Sequence, residues 1–249
     1  MLDHAQDQRQ RQDVWSKRKW EAPEADASAG VRVVLNEEQA AKIEAKHQPT
    51  VLTGGKKPAI IKNIELPPET SEIRSMSDET RKAISDAFDR ITAAYDVHVD
   101  ELITTALDKK YSKVPFQFQP IKGEKGELII RIVINSGYDF MGSQKKLQAR
   151  IMRNHDSGML SSTNIDGLIA HELAHAMTFQ DIKTFNGYLA ANKALAERCV
   201  EGISIYADAM GDGAECITEA FAAKICGQPI SQEAQSLLDE FIERRRKHG

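Results

Sequence analysis

His171, Glu172 and His175 stand within one ten-residue stretch, "IAHELAHAMT" (169–178). On a helix, histidines four apart project from one face about a turn apart, so both imidazoles can reach a single ion. Glu172 is turned about 100° from His171, and its longer side chain can reach a water bound to that ion. Two nitrogen ligands beside a general base is the division of labour of a His-Glu-x-x-His metal site. No Pro or Gly breaks the stretch. Two histidines leave such a site incomplete, so the spacing poses the question of a third ligand.

Two carboxylates compete for that place. Asp181 follows His175 by six residues, where a third ligand sits after a tight glycine turn in metzincin-type sites. The turn position is Thr178, and a left-handed turn is disfavoured for a β-branched residue. Glu215 lies forty residues beyond His175, in "YADAMGDGAECITEAFAAKICG" (206–227). A helix starting near Ala214 after the "GDG" break places Glu215 and Glu219 on one face, among Ala214, Ile217, Ala220, Phe221 and Ala222. Carboxylates beside so much apolar surface need a partner. A second antiparallel helix is a common way to supply the missing ligand. Glu215 is the favoured ligand, with Glu219 bonding a ligand histidine and fixing its tautomer. The exchange of these two roles stays open, as does Asp181.

Tyr206 precedes Glu215 by nine residues, and its hydroxyl is a candidate for stabilising an oxyanion. Cys216 turns away from Glu215 on the helix and reads as a small core residue. Asp208 and Asp212 read as capping residues in the break. His98 and His155 fall outside any metal pattern, and His4, His47 and His248 lie in tails.

The flanking pattern supplies elements to hold these residues. "SDETRKAISDAFDRITAAYD" (77–96) spaces Ile84, Phe88, Ile91 and Tyr95 helically, with Ser77 as cap. "VDELITTALDKK" (99–110) reads as a second helix. "VPFQFQP" (114–120) and "ELIIRIVIN" (127–135) read as an antiparallel strand pair joined by the glycines of "IKGEKGE". "SQKKLQARIM" (143–152) reads as a short helix and 154–164 as a polar loop. The histidine helix spans about 165–179, capped by Thr163 or Ser162. Helices continue beyond it, with breaks near 182–187, 208–213 and 227–230.

Residues 1–74 read as a flexible arm and 75–249 as the folded domain. Within the arm, 31–35 suggests a short strand and 36–46 a short helix. Trp15 and Trp20 in "VWSKRKW" suggest a peptide that docks a protein partner. The net charge of −4 lacks the basic bias of a nucleic-acid binder. The run "RRRK" (244–247) reads as the cationic end of a helix. No stretch approaches about 18 consecutive apolar residues, so a membrane span is not expected. Three sparse cysteines argue against a disulfide framework and fit a reducing compartment. The N-terminus lacks the apolar core of a signal peptide.

"HELAHA" followed by "SIYADAMGDGAECITEAFA" resembles the gluzincin metallopeptidases, in particular the catalytic domain of anthrax lethal factor and zincin-like domains encoded by phages. The likeness covers about residues 165–226, with a weaker echo in 127–135. It implies an α+β zincin-like domain and a Zn2+ held by His171, His175 and Glu215. It also implies Glu172 as general base, Glu219 in support and Tyr206 assisting catalysis on a protein or peptide substrate. The "GDG" between Tyr206 and Glu215 departs from the family pattern and puts the reach of Tyr206 in question. The strand 127–135 would present an edge on which an extended peptide pairs. The rival expectation is a phage-type particle or assembly protein whose zinc-stabilised domain is catalytically silent. The expected location is cytoplasmic at synthesis, with virion association or export without a classical signal as the alternatives.

Overall fold

The computed structural model describes residues 50–51, 76–107, 111 and 113–247. The expected strand at 31–35, the helix at 36–46 and the tryptophan segment lie outside these residues. The architecture is α+β, with a small sheet covered by helices. Helix α1 (Asp78–Ala94) starts where Ser77 accepts the Thr80 N–H, and it buries Ile84, Ala87, Phe88 and Ile91. Two acidic residues in its first turn suit the helix dipole.

The sheet holds three full strands, β2 (Glu101–Thr105), β3 (Phe116–Lys122) and β4 (Leu128–Asn135). A two-residue strand β1 (Thr50–Val51), inside the segment read as an arm, pairs antiparallel with β2. The order is β1-β2-β4-β3. The expected hairpin is present, with Phe118 opposite Ile132. Two expectations fail here. Residues 101–105 are a strand parallel to β4, not part of a helix. β2 has three consecutive buried residues, so it lacks the alternation that marks a half-buried strand. And β4 lies between β2 and β3, so it offers no edge; among the described residues β3 is an outer strand.

Helix α2 (Gln144–Asp156) runs further than expected and shortens the following loop. Helix α3 (Ile165–Phe179) has the expected bounds, but its cap is Asn164, which accepts the Gly167 N–H at 3.0 Å. Almost every residue of α3 is buried, so it is a central helix covered on all faces rather than a surface one. It packs on α1, on β3 and on a later antiparallel-running helix in the C-terminal part. Helices α4 (Phe185–Ala196), α5 (Ile205–Met210), α6 (Gly213–Ile225) and α7 (Gln232–Phe241) follow. Among the described residues no helix is long and apolar enough to cross a membrane.

The run 244–247 does not end an α-helix, because α7 stops at Phe241; its first two residues instead close a short 3-10 helix (Glu243–Arg245). Arg245 instead pairs with Asp181 at 2.5 Å, and Arg246 bridges to Tyr95.

The junction of α4 with α6 is tight. A Cβ on Gly213 would stand 2.2 Å from the Leu195 carbonyl oxygen and 3.0 Å from that of Arg198. Backbone atoms cannot rotate away as a side-chain tip can. Gly213→Ala is therefore expected to destabilise the protein by about 1–3 kcal/mol through overpacking. That exceeds most of the ~1 kcal/mol alanine gains over glycine in a helix. A urea titration against wild type checks the sign, and an unchanged midpoint would contradict the packing.

Candidate metal centre

Three elements bring the site together. α3 carries His171, Glu172 and His175, α6 carries Glu215 and Glu219, and β3 lies against α3. Asp212 caps α6 by accepting the Ala214 N–H at 2.8 Å. Glu215 then falls in the first turn, where the helix dipole favours a carboxylate. Gly211, at φ 57°, ends α5 in the left-handed region and lets the chain turn straight into α6.

Glu215 Oε2 lies 3.4 Å from His171 Nε2 and 3.5 Å from His175 Nε2. One ligand atom from each of these three residues falls within 4.8 Å of the other two, a spacing that can hold a metal ion. All three residues are buried. Behind them, Glu219 Oε1 meets His171 Nδ1 at 2.8 Å, while its other oxygen accepts the Ser161 N–H at 2.7 Å. Glu219 thereby fixes which histidine nitrogen faces Glu215. The group that can hold an ion takes in Glu215, while Glu219 stands against the other nitrogen of His171.

Asp181 does not join the group. Its side chain is 69% exposed and is taken by Arg245. That guanidinium holds its carboxyl below the usual range.

β3 contributes residues that the motif alone does not reveal. The Phe118 ring stacks on His175, with centroids 5.1 Å apart and planes 25° apart. The Phe118 backbone N–H also bonds the Glu172 carboxylate. Alternating phenylalanines marked the strand in the sequence, but nothing there paired it with the histidine helix. Ser161 left no signal either, because its contribution is a backbone N–H. Tyr206 lies on α5 with its ring 6.1 Å from that of His171, so the "GDG" interval does not carry it away from the site. His98 instead pairs with Asp100 at 2.9 Å.

The electrostatics fit a cation. Three carboxylates, Glu172, Glu215 and Glu219, are at most 2% exposed within one cluster. Among the described residues, His171 Nε2, Glu172 Oε2 and Glu215 Oε1 are buried without a hydrogen-bond partner. Buried negative charge is costly unless compensated, and a divalent ion would offset most of it. Burial opposes a charged His171, yet the Glu215 and Glu219 carboxylates facing its two nitrogens outweigh it and hold its pKa well above the ordinary value. Burial likewise works against an ionised Glu215, but His175 and His171 hold its pKa down. Burial pushes the Glu172 carboxyl up to about 7.

A proton on His171 and a metal ion compete for the same nitrogen. Since the His171 pKa is raised, metal binding must displace that proton. Apparent affinity should therefore climb as pH rises toward the raised His171 pKa, by up to about tenfold per unit for one proton released. Competition against a chromophoric chelator, corrected for the chelator's own protonation, reads this slope. A flat profile would contradict the proton–metal exchange.

No protein-family model, curated protein or solved structure matches the chain. The geometry of the cluster therefore carries the functional reading.

Proposed function

We propose that this chain is a zinc-dependent endopeptidase of gluzincin type, built on a zincin-like domain. His171, His175 and Glu215 hold the ion, Glu172 is the general base, and Tyr206 stabilises developing negative charge. The observation that carries the reading is the convergence of the three buried ligand atoms from α3 and α6, with Glu172 on the same helix as both histidines. Two imidazoles and one carboxylate suit Zn2+, whereas Ca2+ and Mg2+ favour all-oxygen sites. Three protein ligands leave a fourth position open, as catalytic rather than structural zinc sites do.

A bound Zn2+ would supply Lewis acidity and bring the pKa of water near neutrality. Glu172 takes the proton from the attacking water and returns it to the leaving amine. Glu219 keeps His171 oriented, and Phe118 does the same for His175 through ring stacking. The Tyr206 hydroxyl donates to the substrate carbonyl oxygen as charge builds there. An extended peptide pairs along the outer side of β3, the strand whose Phe118 N–H already meets Glu172.

The test is cleavage of a peptide library by the full chain as purified, after chelation and after zinc is restored. Cleavage that stops with chelator and returns with zinc supports the proposal. A chain that binds one zinc per molecule and cleaves nothing would sink it in favour of a structural zinc module.

A further inference from the structure

Cys199 Sγ and Cys216 Sγ lie 2.8 Å apart, although 17 residues separate them in sequence. A disulfide bond is about 2.05 Å long, so the sulfurs are within about 1 Å of bonding distance. Cys199 is half-buried in the segment after α4, and Cys216 is fully buried in α6. Sparse cysteines had argued against pairing; the fold brings these two together. Cys226 stands apart and accepts the Thr163 N–H at 3.3 Å.

The backbone of Val200 meets the Cys216 sulfur. The Val200 N–H donates to Cys216 Sγ at 3.3 Å. Gly213, the first residue of α6, sits against the carbonyl oxygens of Leu195 and Arg198. Forming the bond requires the two sulfurs to approach by less than about 1 Å. Cys216 is also the next residue after Glu215, so whatever restrains it restrains the turn of α6 that presents that carboxylate.

We propose that Cys199 and Cys216 form a reversible disulfide that clamps the start of α6 to the segment following α4. The inference goes beyond the peptidase reading and stands without it. The oxidant is a small-molecule disulfide such as oxidised glutathione. The more accessible Cys199 thiolate attacks it, forming a mixed disulfide and releasing one glutathione thiolate, which takes up a proton. The Cys216 sulfur then attacks the Cys199 sulfur, its proton passing to the departing second glutathione as the intramolecular bond forms. The protein loses two electrons and two protons, and both glutathione halves gain them.

The experiment treats the full chain with glutathione buffers of graded redox ratio, then blocks free thiols by alkylation and maps peptides without reduction. A linked Cys199–Cys216 peptide with alkylated Cys226, reversed by dithiothreitol, is the expected result. Hydrogen exchange of the amides in 213–219 should slow roughly tenfold in the oxidised form, because the clamp suppresses local opening. Cys199→Ser should abolish both the linked peptide and the exchange difference, while Cys226→Ser should keep both. Uniform alkylation of all three cysteines across the series overturns the proposal. A linked peptide with unchanged exchange overturns the clamp. Neither readout depends on zinc or on turnover, so failure of the peptidase reading would leave the outcome intact.

Discussion

Glu172→Gln is expected to leave zinc content at one per chain while lowering peptide hydrolysis by about 10²–10⁴-fold, the range general acid–base catalysis contributes. Glutamine keeps the length and shape of the side chain and can still accept the Phe118 N–H. It cannot take a proton from water. The variant also tests the electrostatics of the metal-free protein. Burial raises the Glu172 carboxyl from its ordinary 4.5 to about 7, so ionising it costs the folded state on the order of 3 kcal/mol. The sign follows directly. Below pH 4.5 the carboxyl is protonated in both states and costs nothing. As pH rises from there to about 7, wild type loses stability, and above about 7 the deficit is complete. Metal-free Glu172→Gln should therefore outlast metal-free wild type in denaturant at pH 8, with the difference fading toward pH 4. Retained hydrolysis with zinc bound would remove Glu172 from the role of base.

Glu215→Gln is expected to abolish stoichiometric zinc binding. Loss of an outer hydrogen-bond partner weakens metal sites about 10–100-fold, and loss of a ligand itself should exceed that. Glutamine fills the same buried space, so α6 should keep its packing. Thermal unfolding separates the two effects. Zinc at 100 times its Kd should add about 2.7 kcal/mol to wild type and almost nothing to the variant. Metal analysis after gel filtration reads the stoichiometry directly. A variant that kept its zinc would displace Glu215 from the ligand set, and Asp181, already bound to Arg245, could not replace it without a rearrangement.

Much of the local design was legible in the sequence. The bounds of α3 followed from helical spacing and from the absence of breakers. Glu215 and Glu219 were assigned one helix face because residues four apart always share one. Ser77 and Asp212 announced helix starts, since their side chains satisfy free N–H groups at the first turn. The glycines between Ile121 and Leu128 announced the hairpin. Errors came where local pattern was ambiguous. Residues 101–105 offer only the apolar pair Leu102–Ile103, which a helix or a strand would show alike, and partner strands on the sheet decided between them. Asn164 rather than Thr163 or Ser162 caps α3, a choice between adjacent, chemically similar residues.

The sequence alone determined the chemistry on offer: two imidazoles, a neighbouring carboxylate and a distant carboxylate pair, each on a helix whose period orients it. Those relations span at most a few residues, where backbone geometry leaves little freedom. Only the tertiary structure decided which distant groups meet. It placed Glu215 rather than Asp181 beside the histidines, set Phe118 against His175, put β3 and not β4 at the edge, and brought Cys199 to Cys216. Each of these depends on how buried helices and strands stack around α3. Stacking is settled by the mutual fit of many side chains rather than by the spacing of any few.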